Sequence, residues 1–451
     1  MTTFPAQGQT DHLNRGLCIA LSRVGLPAPS KLERLSGGAN MESWRFSSGA
    51  ADCVLRRAPS LEMMAGRALD HGGEAALIRA AEAAGVSAPE VLVELKASDG
   101  IGSGFVMRSL PGTADPASVL QSTDPDALLA ELAQELAAIH AIPTAGLPAP
   151  AMDTAAALAE LKARFLSYGG DRPILAVALR WLERNLPAPT APRLVHGDFR
   201  LGNLLVYQGR LTGVLDWELA HLGDPHEDLA YGCMTVWRFA RPDRPAFGLG
   251  SVEALAAAYT DAGGAAFEPP RFRFWLIYRT FWWALGCLQM GAMWRGGIDR
   301  SLERVVVARR TAEQELDLLL LLEEQAPPAE RERLLPPAVA PLPVGHGEPS
   351  AAEMLTAVSE WLANDVKPLV SGRGKFDLAV ARNALGIVAR ELNQRPLASD
   401  AVLSAKLLSG TADLATPGVL AGLRRLALDK LSADMPKYPA LAAARALWEG
   451  P

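Results

Sequence analysis

The chain has 451 residues, 49% of them hydrophobic, and a formal net charge of −6 at pH 7. This length predicts two or three domains. The lack of a basic surplus argues against a general binder of nucleic acid or of anionic membranes and leaves a local basic site open. The four cysteines lie far apart without CxxC spacing, which argues against a zinc site or a disulfide framework and favours a reducing cytoplasm.

The first part of the chain is predicted to be rich in strands. The N-terminal segment, residues 1–27, has charged residues before and within a short apolar run, which is unlike a signal peptide. In residues 28–112, the stretches KLERLSGG, MESWRFSS, DCVLRRAP, VLVEL and GFVMRSL alternate or run apolar between turn residues, as strands do. A helix is expected at residues 71–84, because Gly85 ends it and a proline follows.

The rest of the chain is predicted to be mostly helical. Residues 113–325 form a helix-rich second lobe that contains one pair of strands. The segment 326–349 holds seven prolines and is expected to be an extended spacer outside any helix or sheet core. Residues 350–451 show helical periodicity throughout. The expected fold class is therefore α+β, with two lobes plus a separate small all-α C-terminal domain.

No part of the chain is expected to enter a membrane. The longest uncharged apolar stretch, residues 280–294, is shorter than the roughly 18–20 residues of a membrane span. Together with the cysteine pattern, this favours a soluble cytoplasmic protein.

Three polar residues lie at the ends of segments that otherwise resemble buried strands. HGDFRLGNLLV contains Asp198 and Asn203, and GVLDWELA contains Asp216. The pair Gln208-Gly209 is typical of a two-residue hairpin turn, so Asn203 is expected to face about Val214, with a slip of one residue left open. At about 3.3 Å per residue, Asn203 and Asp216 then come within reach of one shared ion.

This set of side chains suits phosphoryl transfer from ATP. In that reaction metal ions neutralise the phosphates, and a carboxylate orients the attacking hydroxyl and accepts its proton. Mg²⁺ prefers oxygen ligands and takes one or two of them from the protein. Asp198 is therefore the candidate base, and Asn203 and Asp216 are the candidate metal ligands. Their spacing follows the protein-kinase template.

The strings HGDFRLGN, VLDWELA and GDPHEDLA, in this order, resemble the aminoglycoside phosphotransferase and choline-kinase-like family over roughly residues 25–325. Within that family, VLRRAP resembles the branch found as a kinase-like domain fused to some acyl-CoA dehydrogenases. The resemblance implies a two-lobed protein-kinase-like fold, with a nucleotide-binding first lobe at 28–112 and a catalytic, acceptor-binding second lobe at 113–325. It also implies ATP or GTP with Mg²⁺, and a small-molecule hydroxyl as acceptor.

The resemblance extends to the first lobe. It places Gly37, Gly38 and Asn40 in the hairpin that covers the nucleotide, where glycine lets backbone N–H groups approach phosphates. It places Arg56 where the family usually has a phosphate-binding lysine, and Glu74 as the glutamate that orients this residue. From the residues alone, a plain β-turn and a solvated helix face are the alternatives. Arginine and lysine are not interchangeable, so the rate and the nucleotide choice stay open.

The remaining polar residues of the motifs are expected to support the site. His196 is interpreted as bonding the catalytic-loop backbone, which the family pattern implies. Asp224 and Asp228 are expected to be loop and helix-cap acids that brace the site. Glu218 is expected behind the metal ligands, and His140 is expected to be packing at a helix end.

The acceptor is indicated only weakly. The aromatic stripe in RFRFWLIYRTFWWALGCLQMGAMWRGG is more often core than pocket. A site for polycationic sugars needs clustered carboxylates, whereas this segment has Arg271, Arg273, Arg279 and Arg295. This bias favours a neutral or anionic acceptor, and a hydroxyacyl-type compound would fit the related branch by analogy.

Two alternatives come from other functional classes. One is a catalytically weak or inactive nucleotide-binding regulator, which Arg56 favours and the retained Asp198, Asn203 and Asp216 oppose. The other is a metallohydrolase with His196 and Asp198 as ligands, which lacks further ligands at metal spacing. Residues 350–451 resemble an uncharacterised helical domain appended to bacterial kinase-like proteins. A compact bundle, a dimer contact or a lid are open for it, and we favour an accessory or interaction role.

Overall fold

The computed structural model describes residues 7–35, 41–64, 66–122, 124–336, 348–393 and 400–449. The first lobe is a five-stranded antiparallel sheet with a helix on each face. Its elements are α1 (Gln7–Ser22), β1 (Pro29–Arg34), β2 (Glu42–Ser48), β3 (Ala51–Ala58), α2 (His71–Ala83), β4 (Val91–Glu94) and β5 (Ser103–Arg108). In the sheet, the strands follow the order β1-β2-β3-β5-β4.

Sequence pattern and capping explain this lobe. The alternation along β2 buries Trp44 and Phe46, which pack in one core with Leu13 and Leu17 of α1. Helix α2 begins after Asp70, whose side chain accepts a hydrogen bond from the Gly73 N–H at 2.7 Å. The helix expected at residues 71–84 is therefore confirmed, and α1 adds a covering helix that the strand pattern did not predict.

The second lobe is mostly helical, as predicted, and holds two short two-stranded antiparallel sheets. Its helices are α3 (Pro116–Ser122), α4 (Pro125–Ala141), α5 (Thr154–Ser167), α6 (Pro173–Arg184), α7 (His226–Tyr231), α8 (Val252–Asp261), α9 (Pro269–Arg295), α10 (Leu302–Arg309) and α11 (Thr311–Leu322). Its strands are β6 (Arg193–Val195), β7 (Leu204–Tyr207), β8 (Arg210–Val214) and β9 (His221–Gly223). Strand β6 pairs with β9, and β7 pairs with β8.

Helix α9 contains the aromatic segment and runs through this core. Phe274, Trp275, Tyr278 and Phe281 are buried, so the stripe is core, as expected. Within the described part of the chain, no helix combines the length and the apolar character that crossing a bilayer requires.

The predicted proline-rich spacer is partly helical, which corrects the expectation of an extended segment. Helix α12 (Pro328–Arg331) is a single turn inside it. Proline is tolerated there because a first-turn N–H has no partner within the helix. Glu330 of this turn is buried and accepts a hydrogen bond from the Gly418 N–H at 2.8 Å. The expectation for residues 337–347 lies outside the described residues.

The C-terminal region is helical, as predicted. It comprises α13 (Ala351–Trp361), α14 (Arg373–Leu392), α15 (Ala401–Ser409), α16 (Val419–Asp434) and α17 (Pro439–Trp448). Leu428 of α16 and Trp448 of α17 belong to the same hydrophobic core as Leu316 and Leu319 of α11. The last helices therefore pack directly on the second lobe, which the periodicity of the sequence did not reveal.

Polar contacts also join α16 and α17 to the end of the second lobe. The Lys430 Nζ lies 2.6 Å from a carboxylate oxygen of Glu315, which is buried. Arg424 and the Trp448 indole N–H both donate to Glu323, with shortest distances of 2.6 and 2.8 Å. Charge-assisted hydrogen bonds of this kind are stronger than neutral ones, so these contacts fix the orientation of the two helices.

The buried pair Asp317 and Tyr438 gives a stability prediction. The Tyr438 hydroxyl donates to Asp317 at 2.6 Å, and burial raises the pKa of Asp317 to about 7. Unfolded aspartate has a pKa of about 3.9, so the folded chain binds more protons between these two values. Stability therefore falls as the pH rises from about 4 to 7.

Asp317→Asn removes this titration. Relative to the wild type, the free energy of unfolding of the variant should rise by roughly 2–4 kcal/mol between about pH 4 and pH 8. Urea unfolding at several pH values measures this difference. The exposed Asp261 provides a matched control, since Asp261→Asn should leave the pH dependence unchanged. Parallel pH profiles for the wild type and Asp317→Asn would contradict the prediction.

Candidate active site

The hairpin of β7 and β8 places the two candidate metal ligands. Its turn residues Gln208 and Gly209 have φ values of 50° and 77°, which such two-residue turns require. The strands pair Leu204 with Val214, and a bulge follows after Leu205. The Leu215 N–H donates to the Asn203 carbonyl at 2.8 Å.

Asn203 thus faces Leu215, one residue beyond the expected Val214. The reason is one extra residue in β8, since a bulge sets two residues opposite one. The slip of one residue that the sequence left open is what the structure has. As a result, Asp216 directly follows the residue that faces Asn203.

Asp216 has an unusual backbone conformation, with φ 69° and ψ 64°. Aspartate tolerates this left-handed region better than most residues. Directly after it, the chain makes a short 3₁₀ turn, Trp217–Leu219. This bend turns the Asp216 carboxylate toward the first lobe, where its Oδ1 accepts a hydrogen bond from Arg56 Nη2 at 2.6 Å.

Asp198 is held by residues of its own loop. Its Oδ1 accepts from Arg200 Nε at 2.9 Å, and its Oδ2 accepts from Asn203 Nδ2 at 2.6 Å. The same Nδ2 also donates to the Asp198 carbonyl at 3.0 Å. Because both of these neighbours are acceptors, the Asn203 amide must present its nitrogen to Asp198. Its oxygen then points away from Asp198, as a metal ligand would.

His196 has the structural role that was predicted. The ring is fully buried, and burial lowers its pKa. Nδ1 accepts from the Asp198 N–H at 3.2 Å, and Nε2 donates to the Leu215 carbonyl at 3.1 Å. His196 thereby joins the loop of Asp198 to the segment of Asp216. With both ring nitrogens used on the backbone, it does not support the metallohydrolase alternative.

Asp228 supports the same loop by binding its backbone. Its carboxylate accepts the backbone N–H groups of His196 and Gly197 at 2.7 and 2.8 Å. Burial raises the pKa of Asp228, but His140 and these N–H groups outweigh burial and hold it below its ordinary value. His140 donates to Asp228 at 3.1 Å and also bonds the Tyr259 hydroxyl at 2.7 Å. His140 is therefore part of the polar network, whereas the sequence suggested packing alone.

Asp224, the other predicted bracing acid, lies at the start of α7. It pairs with Arg271 at 2.8 Å and with the His226 ring at 3.0 Å. These contacts keep the loop before α7 in place, which agrees with a supporting role.

Arg56 lies at the centre of an ion-pair network between the lobes. Its guanidinium contacts the carboxylates of Glu74, Asp216 and Glu218 at 3.0, 2.6 and 2.9 Å. Burial lowers the pKa of Arg56, but the three carboxylates raise it above its ordinary value. Arg67 also pairs with Glu218, at 3.0 Å. Arg67 was not identified from the sequence as a site residue, because a single arginine in a loop carries no motif that distinguishes it from a surface residue.

Glu74 is buried, with only 3% of its surface exposed, so the alternative of a solvated helix face is excluded. Burial raises the pKa of Glu74 to about 7, while Arg56 acts to lower it. The structure thus brings Glu74 to Arg56, as the resemblance implied. Glu218 contacts two arginines here, Arg56 and Arg67, and its place behind the metal ligands stays a prediction.

Four of these residues line one cleft between the lobes, and Asp198, which is not among its lining residues, contacts the cleft residue Asn203. The cavity has a volume of about 390 Å³ and is lined by Arg56, Glu74, Asn203 and Asp216, together with apolar residues such as Phe105. Gly37, Gly38 and Asn40, which were predicted to cover the nucleotide, lie outside the described residues.

The decisive comparison is with protein families. The model of the phosphotransferase enzyme family, APH, matches residues 31–275. The chain belongs to this family. Membership supports small-molecule phosphotransferase as the general class of activity.

Relatives of this chain carry the same domain in larger proteins. Acyl-CoA dehydrogenase family member 10 of Mus musculus is 28% identical over 46% of this chain and 21% of its own length. Acyl-CoA dehydrogenase family member 11 of Homo sapiens is 32% identical over 25% of this chain and 16% of its own length. The chain therefore spans about a fifth of the length of these relatives.

The fold is that of solved members of the family. A crystal structure from Ralstonia eutropha JMP134, assigned as an aminoglycoside phosphotransferase, aligns with a TM-score of 0.56 at 20% identity. It covers 70% of this chain and 98% of the other. The two-lobed kinase-like fold expected from the motifs is therefore confirmed.

Three of the α9 arginines are paired with carboxylates and therefore do not define an acceptor site. Arg279 pairs with Glu227 at 3.1 Å, and Arg273 pairs with Glu324 at 2.5 Å. Arg271 is engaged by Asp224, as described above. The inference of acceptor charge from these residues therefore loses most of its basis.

Arg56 and Glu74 give a prediction that separates stability from activity. Arg56→Met should lower the free energy of unfolding by about 3–5 kcal/mol, because the buried carboxyl group of Glu74 then has no ion-pair partner. Adding Glu74→Leu should restore most of this loss but none of the phosphotransferase activity. Urea unfolding and activity assays of both variants measure the two effects. Equal stability of the single and double variants would contradict the assigned pairing.

Proposed function

We propose that the chain is a Mg²⁺-dependent phosphotransferase that moves the γ-phosphate of ATP, or of GTP, to a hydroxyl of a small molecule. The observation that supports this proposal most directly is the contact of Arg56 with Asp216, at 2.6 Å between residues 160 positions apart in sequence. It brings the phosphate-binding candidate of the first lobe to the metal-binding candidate of the second. The hairpin brings Asn203 next to the Asp216 segment, and Asn203 in turn contacts Asp198 of the catalytic loop.

The residues present suit a magnesium ion. The Asn203 amide oxygen and the Asp216 carboxylate are hard oxygen donors at one end of the cleft, and Mg²⁺ takes one or two such ligands besides phosphates and water. When bound, the ion neutralises the charge that develops on the transferred phosphoryl group. Asn203 and Asp216 would hold it.

Asp198 is proposed to orient the acceptor hydroxyl and accept its proton. Arg200 and Asn203 fix its carboxylate from two sides, so the base does not have to be ordered during the reaction. Such positioning is the main contribution of a protein to phosphoryl transfer. The acceptor hydroxyl then loses its proton as the oxygen bonds to phosphorus and the bond to the leaving diphosphate breaks.

Arg56 is proposed to bind the phosphates of the nucleotide. Within the part of the chain that the structure describes, the hydrogen bonds of Arg56 to the three carboxylates use Nε and Nη2 and not Nη1. Nη1 can therefore donate to a phosphate oxygen. If Asp216 held a metal ion, Arg56 would lose part of its contact with that carboxylate, and its guanidinium would turn toward phosphate oxygens. Glu74 keeps the arginine in the cleft during this exchange.

The acceptor is proposed to be a neutral or anionic small molecule with an alcohol group, such as a hydroxyacyl compound. The support is the kinship with the domain carried by acyl-CoA dehydrogenase family members. We further propose a cytoplasmic location, which the four free cysteines favour.

The test is a phosphorylation screen of a metabolite pool with γ-labelled ATP and Mg²⁺. Wild-type protein should label a small set of compounds, and Asp198→Asn should not. Nucleotide binding by calorimetry, measured in parallel, separates the alternatives. Tight Mg²⁺-dependent binding without labelling of any compound would favour the nucleotide-binding regulator instead, and no nucleotide binding at all would overturn both hypotheses.

A further inference from the structure

A second cavity lies where the catalytic lobe meets the C-terminal helices. It has a volume of about 250 Å³, and one wall is the loop that follows α7, with Arg238 and Arg241. The opposite wall is the turn that joins α16 to α17, with Lys437 and Tyr438, and the start of α11 forms its floor. We call this cavity the basic pocket. It shares no lining residue with the cleft of Arg56 and Asp216.

The basic pocket has an excess of positive charge. Arg310 and Glu313 also line it but neutralise each other, since they form an ion pair at 3.0 Å. Within the described residues, Arg238, Arg241 and Lys437 have no carboxylate within ion-pair distance. The buried Asp317 carboxylate, which accepts a hydrogen bond from Tyr438, interacts with Arg238 and offsets part of its charge. Arg241 and Lys437 are the cations of the basic pocket for which the described residues supply no such carboxylate.

Both arginines are fixed in place by backbone carbonyls. Arg238 donates through Nε and Nη2 to the Cys233 carbonyl at 3.1 and 2.9 Å. Arg241 donates through Nη2 to the Leu120 carbonyl at 2.8 Å. A carbonyl orients a guanidinium without cancelling its charge, so the cations are preorganised and still able to attract an anion.

The loop between these arginines is strained. Phe239 and Ala240, which also line the basic pocket, have φ values of 46° and 67°. Residues other than glycine seldom adopt this region, and such strain concentrates at functional sites. Tyr438, from the opposite wall, is held by its hydrogen bond to Asp317.

We propose that the basic pocket binds the phosphate group of a small anionic molecule. Guanidinium groups match phosphate oxygens with two parallel hydrogen bonds, and Lys437 adds a point charge from the other side. The cavity is smaller than the usual 300–1,000 Å³ of a site for a whole ligand. It therefore suits a free phosphate-type anion or one end of a larger molecule.

The basic pocket is also linked to the proposed base. Val236 and Arg238 line it, and Trp237 between them faces the other way, where the Arg200 guanidinium lies 4.3 Å from its ring centre. Arg200 in turn holds Asp198. This link rests on the proposed function, whereas the binding of phosphate does not.

The first experiment is a titration with inorganic phosphate, followed by calorimetry and by thermal unfolding in a phosphate-free buffer. Wild-type protein should bind and gain thermal stability. Lys437→Gln should weaken the binding about tenfold, the usual effect of losing one charge-assisted hydrogen bond. Lys437 is exposed, so this variant should fold normally. Lys406→Gln, which removes an equally exposed lysine from α15, is the matched control and should bind as the wild type does.

Arg56→Met/Glu74→Leu tests the location, because phosphate could also enter the cleft between the lobes. This double variant should keep the phosphate binding. Absence of binding to the wild type, equal affinities of the wild type and Lys437→Gln, or loss of binding in the cleft variant would each overturn the proposal. None of these results depends on phosphotransferase activity, so failure here is distinct from failure of the proposed function.

Steady-state kinetics then distinguishes the two sources of the phosphate group. If it belongs to the acceptor, Lys437→Gln should raise the acceptor KM about tenfold and leave the release of phosphate from ATP to water unchanged. If it is a free anion, added phosphate should change the rate of that hydrolysis in the wild type and not in Lys437→Gln. Either pattern supports a phosphate site in the basic pocket, and the absence of both patterns would overturn it.

Discussion

Replacing Asp216 by alanine should lower Mg²⁺-dependent phosphoryl transfer by about 10³-fold or more, since metal ions and positioning supply most of the rate in this chemistry. The variant removes the proposed carboxylate ligand of the metal. It also frees Arg56 from its shortest ion pair. We expect the loss to be at least as large as that caused by changing the base, because the ion acts on every phosphate oxygen that it contacts.

The left-handed backbone at Asp216 dictates the control. Alanine is strained at φ 69°, whereas asparagine tolerates this region. Asp216→Asn therefore keeps the backbone and the side-chain volume while it removes the charge. Both variants should lose activity, and only Asp216→Ala should also lose thermal stability. Full activity of Asp216→Asn at ordinary Mg²⁺ concentration would show that this carboxylate is not a metal ligand.

Replacing Asp198 by asparagine should lower kcat by about 10²–10⁴-fold, the usual contribution of a positioned general base. Both oxygens of Asp198 accept hydrogen bonds, from Arg200 and from Asn203. In the asparagine variant, the side-chain NH₂ group must face either Arg200 or Asn203, and both of these are donors. One of the two hydrogen bonds is therefore lost, and the loop is slightly disturbed. Nucleotide affinity should stay near that of the wild type, because the nucleotide phosphates are assigned to Arg56 and the metal ligands.

Two measurements check this prediction. Labelled phosphate transfer to the acceptor found by the screen gives kcat, and calorimetry gives nucleotide affinity. Asp261→Asn makes the same chemical change at an exposed position of the same lobe and should have no effect on either. If Asp198→Asn weakened nucleotide binding as strongly as it lowered kcat, Asp198 would be a binding residue and another group would be the base.

The sequence was sufficient for the local parts of this site. The turn at Gln208-Gly209, the helix after Asp70 and the strand that carries Arg56 follow from residue type and spacing alone. Hairpin spacing brought Asn203 and Asp216 together, and the resemblance to the kinase-like family implied that Arg56 and Glu74 would join them in one cleft. The bulge in β8 was not predictable, because one extra residue in a strand leaves no mark in a polar and apolar pattern.

Long-range partners were the main part that the sequence could not provide. The arginines of α9 were interpreted as a feature of the acceptor site. In the structure, Arg279 contacts Glu227 in the interior of the lobe, and Arg273 contacts Glu324 at its edge. Arginine charge is visible in a sequence, whereas the carboxylate that neutralises it lies 47 to 52 positions away. The contact of Trp237 with Arg200 escaped notice for the same reason.

The packing of α16 and α17 on α11 has a consequence for protein synthesis. Glu323 meets Arg424 and Trp448 only 101 and 125 residues later in the chain. At about 5–20 residues per second, a ribosome needs roughly 5–25 s to add these partners. During that interval every kinase motif already exists, yet the lobe that carries them keeps an uncovered apolar face. We therefore expect the second lobe of a nascent chain to reach its native packing only after α17 has been synthesised.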